Sequence, residues 1–275
     1  MKEISNSYVQ SGALEVMKFV HEICEIEDIK YFLMYGTLIG AIRHNGFIPW
    51  DDDLDIAMDR ENYEKFLSCF PKYSKKFSFL EIFEPRYNDK YPYMIARVSD
   101  NRYKIETDNE VDCGMGVFID IYPMDGLGND YKDVIRHARK IDHYSSLMFR
   151  STRIKPMINK RYKLFRNIIE VILYLVSKIF GKQYFRNKLL YLSQKYKYAE
   201  SKYIGCGVWL SGFKKDIYLK SDFDESILHK FEKYNFYIPK EYDRILTSMY
   251  GNYMKLPPKE ERIGHHFYKT YLKED

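Results

Sequence analysis

Cysteine is scarce in this chain of 275 residues. The four present, Cys24, Cys69, Cys113 and Cys206, never fall in C-x-x-C spacing. They read as reduced thiols of a cytoplasmic protein. The opening "MKEISNSYVQ" is followed by no apolar core, so no secretory signal is expected. Long hydrophobic runs are missing too. The most apolar stretch, "IIEVILYLVSKIF" at 168–180, is short for a membrane span and carries Glu170 and Lys178. There is no internal repeat and no low-complexity linker. Acid is almost absent between Arg150 and Lys188, where eleven Lys or Arg residues face one acid, Glu170. That imbalance, within a mild net charge of +5, suggests an anionic partner for the later part of the chain.

What is present is ordinary for a soluble globular chain, with 45% hydrophobic and 30% charged residues. Aromatics are plentiful, with 27 tyrosines. They can line pockets for sugars, bases or quaternary amines, although compositional bias explains them equally well.

The densest signal is "GFIPWDDDLDIAMDR", residues 46–60, in which Asp51, Asp52, Asp53 and Asp55 crowd into five positions between apolar neighbours. Like charges this close repel, and burying one costs several kcal/mol. Strict alternation predicts a strand over 53–58, with Asp53 and Asp55 on one face and Leu54, Ile56 and Met58 on the other. A divalent cation would relieve the repulsion, and Mg²⁺ is usual where phosphates complete the shell. Asp120, a lone acid in the apolar strand "VFIDIY", is the natural third ligand; the alternative is an ion pair with a nearby Arg or Lys. An EF-hand fails, because its sixth position would be Ile56 rather than Gly and its twelfth Asn62 rather than Glu.

Upstream, the patterning predicts a helix over 8–27, a buried strand over 31–35 and a short helix from Thr37, with Thr37 as its N-cap. Strands are expected near 77–83, 93–98, 103–107 and 116–126. Helices are expected near 131–149, 158–180, 184–198 and 238–251, the last with Pro239 at its start and Gly251 at its stop. A strand, a Gly36-Thr37 turn, a short helix and then paired strand acids form the layout of a nucleotidyltransferase fold, in which the turn and helix N-terminus cradle a phosphate. The expected class is therefore α+β, a mixed sheet flanked by helices. The expected division is a core with the acid site at 1–130, a basic helical insertion at 131–198, and a C-terminal part at 199–275 that completes the substrate site.

"YGTLIGAIRHNGFIPWDDDLDIAM" closely resembles the signature of the LicD family of phosphocholine transferases, which includes fukutin-related proteins among its distant members. "GVFIDIYPMDG" and "YGNYMKLPPKEERIGHH" resemble two further family blocks, so the similarity runs from about 30 to 268. The resemblance implies an enzyme that takes phosphocholine from CDP-choline to a hydroxyl of a cell-surface glycan such as teichoic acid, lipopolysaccharide or capsule. It marks Asp53, Asp55 and Asp120 as the metal-binding and catalytic acids, with one or two Mg²⁺ and Mn²⁺ as the alternative. Gly36 and Thr37 become the phosphate turn, and Asp51 and Asp52 further motif acids that contact substrate. In chemical terms CMP would leave, with attack at the phosphorus bearing choline. Asp120 would then accept the hydroxyl's proton.

Arg43 is a candidate for the phosphates, or for a structural pair with Asp51 or Asp52. Lys214, Lys255 and the His265-His266 pair could contact nucleotide or acceptor. Trp50 and Trp209 could box the trimethylammonium, with Trp209 in "GVWLSG" preferred. If the acceptor is lipid-linked, the segment 158–188 could hold the enzyme at the inner face of the membrane; a hairpin with a solvated basic face is the alternative. No nucleic acid is expected as a partner. Competing donors are CDP-ribitol and CDP-glycerol. A D-x-D glycosyltransferase would need a nucleotide domain ahead of the motif, for which about fifty residues leave little room. A metal-stabilised binding protein without activity is a further alternative.

Overall fold

A computed structural model describes residues 1–158, 164–209, 213–264 and 268–274. The chain runs β1 (Lys2–Glu3), α1 (Asn6–Ile26), β2 (Phe32–Leu33), α2 (Tyr35–His44), β3 (Asp55–Asp59), α3 (Arg60–Ser74), β4 (Leu80–Phe83), β5 (Ala96–Asp100), β6 (Tyr103–Thr107) and β7 (Val117–Gly128). It continues through α4 (Tyr131–Thr152), α5 (Leu164–Ser193), β8 (Tyr203–Gly205), β9 (Tyr218–Leu219), β10 (Ser226–Phe231), β11 (Tyr234–Pro239), α6 (Tyr242–Tyr250) and β12 (Tyr268–Leu272).

The architecture is the expected α+β. The main sheet has the order β2-β3-β7-β5-β4, with β8 and β9 added at the far end of β7. β7 is its axis: parallel to β3 on one side, antiparallel to β5 on the other. β7 is buried along nearly its whole length and reads as a continuous apolar run, as a strand covered on both faces must. α1 lays Ala13, Met17 and Val20, all fully buried, against the sheet, each burial contributing about 1–3 kcal/mol for the larger side chains. One cluster of buried side chains joins α1, α2, α3 and the sheet to β11 and α6. A second is built around α4, the later part of α5 and the residues that follow β8, Cys206 and Val208. β12 pairs with β1 and β6, and β10 with β11.

Several expected boundaries move, each for a local reason. The strand expected at 53–58 is Asp55–Asp59. Its ladder with β7 opens at the Asp55–Asp120 pair, so Asp53 precedes any pairing and the alternation argument does not reach it. Thr37 is not the cap of α2. The helix starts at Tyr35 after Met34, and Thr37 lies inside its first turn. Pro239 closes β11, where its missing N–H costs no helix bond, and α6 begins at Tyr242. Gly251 does stop α6, with φ of 67°. The two helices expected across 158–198 meet without a loop at Gly181, whose φ of 75° breaks the helical path. Residues 159–163 lie outside the described residues.

Candidate active site

The site forms where α2, the loop after it and the two parallel strands meet. The turn into α2 is strained: Tyr35 holds a φ of 51°, uncommon for a bulky residue. Its ring is fixed edge-on to Tyr122 of β7 at 4.8 Å. Met34, the N-cap residue of α2, makes no side-chain cap hydrogen bond, and the end of a helix at which N–H groups point outward favours an anion. Gly36 follows, and a Cβ there would stand 3.0 Å from the Asp51 carboxylate. Glycine is needed because the acid loop comes that close. Thr37 turns its hydroxyl the other way and accepts the backbone N–H of Asp55 at 2.8 Å, docking the helix on the start of β3.

The acid loop is anchored from α1. Gln10 donates to the carbonyl of Asp51 at 2.7 Å and Asn6 at 3.2 Å. Asp55 then sits opposite Asp120 in the parallel ladder, and both are buried. Nearby tyrosines register the collected charge. The Tyr122 phenol is pushed up by burial and by Asp55, Asp120 and Asp53. Tyr268 is pushed up by burial and then by Asp52, Asp53 and Asp120. Desolvation, Asp55, Asp216, Asp51 and Asp53 raise Tyr250. The structure thus brings all five predicted acids into one electrostatic neighbourhood and adds a sixth, Asp216, buried in the turn 213–216. Nothing in the sequence singled out Asp216 except that it precedes the apolar "IYL".

Asp120 has a partner that spacing did not locate. Arg97 of β5 lies opposite it in the antiparallel ladder and donates from Nε at 2.5 Å and from Nη2 at 3.3 Å. Burial works against the charge of Arg97, but the Asp120 carboxylate overrides that and holds the guanidinium protonated. The guanidinium is also sandwiched by Tyr93 at 4.1 Å and Phe118 at 3.9 Å. The ion pair considered for Asp120 therefore exists. Among the described residues, no group of three or more His, Cys, Asp or Glu side chains is gathered to hold a metal ion, so a cage of three carboxylates is not preformed.

The remaining candidates are placed as follows. Arg43 donates to the carbonyl of Tyr253 at 2.6 Å and to His44 at 2.9 Å, tying α2 to the C-terminal block. Burial and the nearby Arg262 make its charge costlier. Arg262 itself lies over Trp50 at 5.7 Å. Trp209 is half-buried in the second core and packs edge-on to Phe149 at 5.6 Å. Lys214 and Lys255 are exposed. His265 and His266 lie outside the described residues.

A cavity of about 340 Å³ opens beside the Arg97–Asp120 pair, within the range of small-ligand sites. Tyr93, Phe149, Tyr268, Glu110 and Arg153 line it together with Arg97. Arg153 covers the ring of Phe149 at 3.9 Å and pairs with Glu110. No helix of the described residues is long and apolar enough to cross a membrane.

Comparison with known proteins finds relatives of this chain. Residues 28–163 match the family described as LicD/FKTN/FKRP, nucleotidyltransferase domain. The lipopolysaccharide cholinephosphotransferase LicD of Haemophilus influenzae is 32% identical over 277 residues, covering 99% of this chain and 100% of that protein. The human ribitol 5-phosphate transferase FKRP is 38% identical over 48 residues, 18% of this chain and 10% of its own. An uncharacterized protein of Rickettsia typhi is 43% identical over 61 residues, 22% of this chain and 20% of its own.

Proposed function

The chain belongs to the LicD family, and on that footing we propose that it moves phosphocholine from CDP-choline to a hydroxyl of a cell-surface glycan, releasing CMP. The observation that carries the reading is the pairing of Asp55 with Asp120 in one ladder, with the first turn of α2 tied to Asp55 through Thr37. Full-length similarity to a cholinephosphotransferase supports the choice of transferred group.

In this reading the α2 N-terminus and the Gly36 turn receive the diphosphate of the donor. The acceptor oxygen attacks the phosphorus that bears choline, a new O–P bond forms, and the P–O bond to CMP breaks. The hydroxyl's proton goes to a carboxylate of the cluster. Both oxygens of Asp120 already accept N–H groups from Arg97. Asp120 is therefore better placed to fix charge than to take a proton, which leaves Asp55 and Asp53 as the bases at hand. Arg43 and Arg262 lie close enough to feel each other's charge and would add positive potential for the departing nucleotide, although each also holds a backbone carbonyl.

Mg²⁺ is commonly held by one or two carboxylates while substrate phosphates and water complete its shell. Here Asp55 would supply the carboxylate, since Asp120 opposite it is engaged by Arg97 through both oxygens. An ion there would neutralise the diphosphate and the leaving oxygen. The cavity beside Arg97 is lined by two guanidiniums that cover ring faces of Tyr93 and Phe149. Both guanidiniums are paired, Arg97 with Asp120 and Arg153 with Glu110, so the cavity offers ring faces and balanced charge to a polar part of either substrate.

Thermal stability with Mg²⁺ and a panel of CDP-choline, CDP-ribitol, CDP-glycerol and UDP-glucose tests the reading. CDP-choline should stabilise selectively, and Asp55→Asn should abolish the effect. The short match to a ribitol 5-phosphate transferase makes CDP-ribitol the informative competitor. A preference for UDP-glucose, or no response to any donor, would overturn the proposal.

A further inference from the structure

The cavity beside Arg97 and the turn into α2 flank the acids from opposite sides. Thr37 ties α2 to Asp55 of β3, and β3, β7 and β5 follow one another across the sheet. Arg97, in the cavity wall, stands on β5 opposite Asp120 of β7. The acid loop divides in the same way. A Cβ on Gly36 would meet Asp51, whereas Tyr268, in the cavity wall, is pushed up by burial and then by Asp52 and Asp53. Asp55 and Asp120 thus stand between the α2 turn and the cavity. In a displacement at phosphorus the attacking and leaving oxygens lie roughly in line, on opposite sides. With the donor's diphosphate at α2, CMP departs on that flank and the attacking hydroxyl enters from the cavity. The oxygen that carries choline lies across this line.

The space continues beyond this first cavity. A second one, of about 300 Å³, adjoins it and shares Ile105, Thr107, Asp108 and Glu110 with the first. A donor anchored at α2 has no use for two chambers on the far side of the acids. A glycan does, because its chain runs on past the sugar that attacks. The chemistry of the walls fits sugars. Tyr93, Phe149 and Tyr268 of the first cavity offer rings to the C–H faces of a pyranose. In the second, Glu106, Asp108 and Asp112 outnumber Lys104, which pairs with Glu106 and Asp112. Carboxylates accept hydroxyl hydrogens and disfavour phosphates by like charge. Resting on the transferase reading, we propose that the two cavities form the acceptor subsite and seat consecutive neutral sugars of the glycan, with the attacking hydroxyl at the Asp120 end. A polyol phosphate chain is the wrong polymer for these walls.

The test uses two exposed wall residues of the full chain. Asp108→Ala removes a carboxylate where the cavities meet, and Met157→Trp fills the first cavity from its rim. With deacylated, choline-free lipopolysaccharide as acceptor, each variant should raise the acceptor KM by about tenfold or more. The KM for CDP-choline should stay within about twofold of wild type. A rise in the CDP-choline KM in step with that of the acceptor would overturn the proposal, because the cavities would then hold the donor. So would an unchanged acceptor KM in both variants. A second arm needs no donor and no turnover. Saturation-transfer NMR should show the wild type binding the deacylated lipopolysaccharide, Met157→Trp losing that binding, and poly(ribitol phosphate) giving no signal. No binding by the wild type, binding that survives in both variants, or a preference for poly(ribitol phosphate) would also overturn the proposal. Because this arm reads the glycan alone, failure of the subsite is distinguishable from failure of the transferase reading.

Discussion

The Arg97–Asp120 pair can be tested by replacing Arg97 with methionine, which keeps side-chain length and contact with Tyr93 and Phe118 but removes the charge. Arg97 is 9% exposed and Asp120 5%. Breaking a buried pair by removing one partner costs about 3–5 kcal/mol, because the remaining charge has lost its compensation. The lost stacking between two rings adds about 1 kcal/mol. Urea denaturation of Arg97→Met should therefore show a stability loss of about 4–6 kcal/mol. Asp120→Asn alone should also destabilise. The double variant should recover at least about 2 kcal/mol relative to the sum of the single effects, since no uncompensated charge is then left. A loss below about 1 kcal/mol in Arg97→Met, or simple additivity in the double variant, would refute the account of Asp120 as a carboxylate held by a buried guanidinium.

Three further outcomes are expected. Thr37→Val leaves the buried N–H of Asp55 without its acceptor and should cost about 1–3 kcal/mol in denaturant melts, whereas Thr37→Ser should cost less. Gly36→Ala sets a methyl 3.0 Å from the Asp51 carboxylate. Turnover should fall by about tenfold or more while the melting temperature barely moves, because a displacement below 1 Å matters to reaction geometry far more than to packing. Burial pushes the His137 imidazole down to about 4 from its usual 6.5. The folded chain then binds fewer protons than the unfolded chain below about pH 6.5, so this stability is intact above 6.5 and is lost as pH falls toward 4. Between pH 7 and pH 5 the wild type should lose on the order of 1–2 kcal/mol more than His137→Asn in parallel melts.

The acid cluster was legible because its chemistry is local. Four aspartates in five positions between apolar residues have few structural uses, and a lone acid in "VFIDIY" needs a partner. What alternation could not supply was the register. It put Asp53 inside the strand, whereas pairing starts at Asp55, where β7 first comes alongside. Arg97 left a weaker trace, a lone cation in "YMIARVSD" matching the lone anion in "VFIDIY". Two isolated opposite charges in apolar strands suggest a pair but not which residues meet. Gln10 and Asn6 left no trace, because a polar residue on an amphipathic helix looks solvated until a loop is laid on it. The periodicity of 164–180 showed an apolar stripe, but a hydrophobic period has no sign. Only contacts with α4 and the residues just after it reveal that the polar side is the one facing the protein.

The central claim is that the acids around Asp55 serve transfer of phosphocholine. The most direct measurement is incubation of the purified chain with Mg²⁺, CDP-choline labelled in the choline, and a choline-free lipopolysaccharide acceptor. The assay follows CMP release and label in the glycan together. The account predicts equal amounts of both, lost in Asp55→Asn, which removes a charge without changing size. Label transfer that survives in Asp55→Asn, or CMP release with no label in any glycan acceptor, would contradict it.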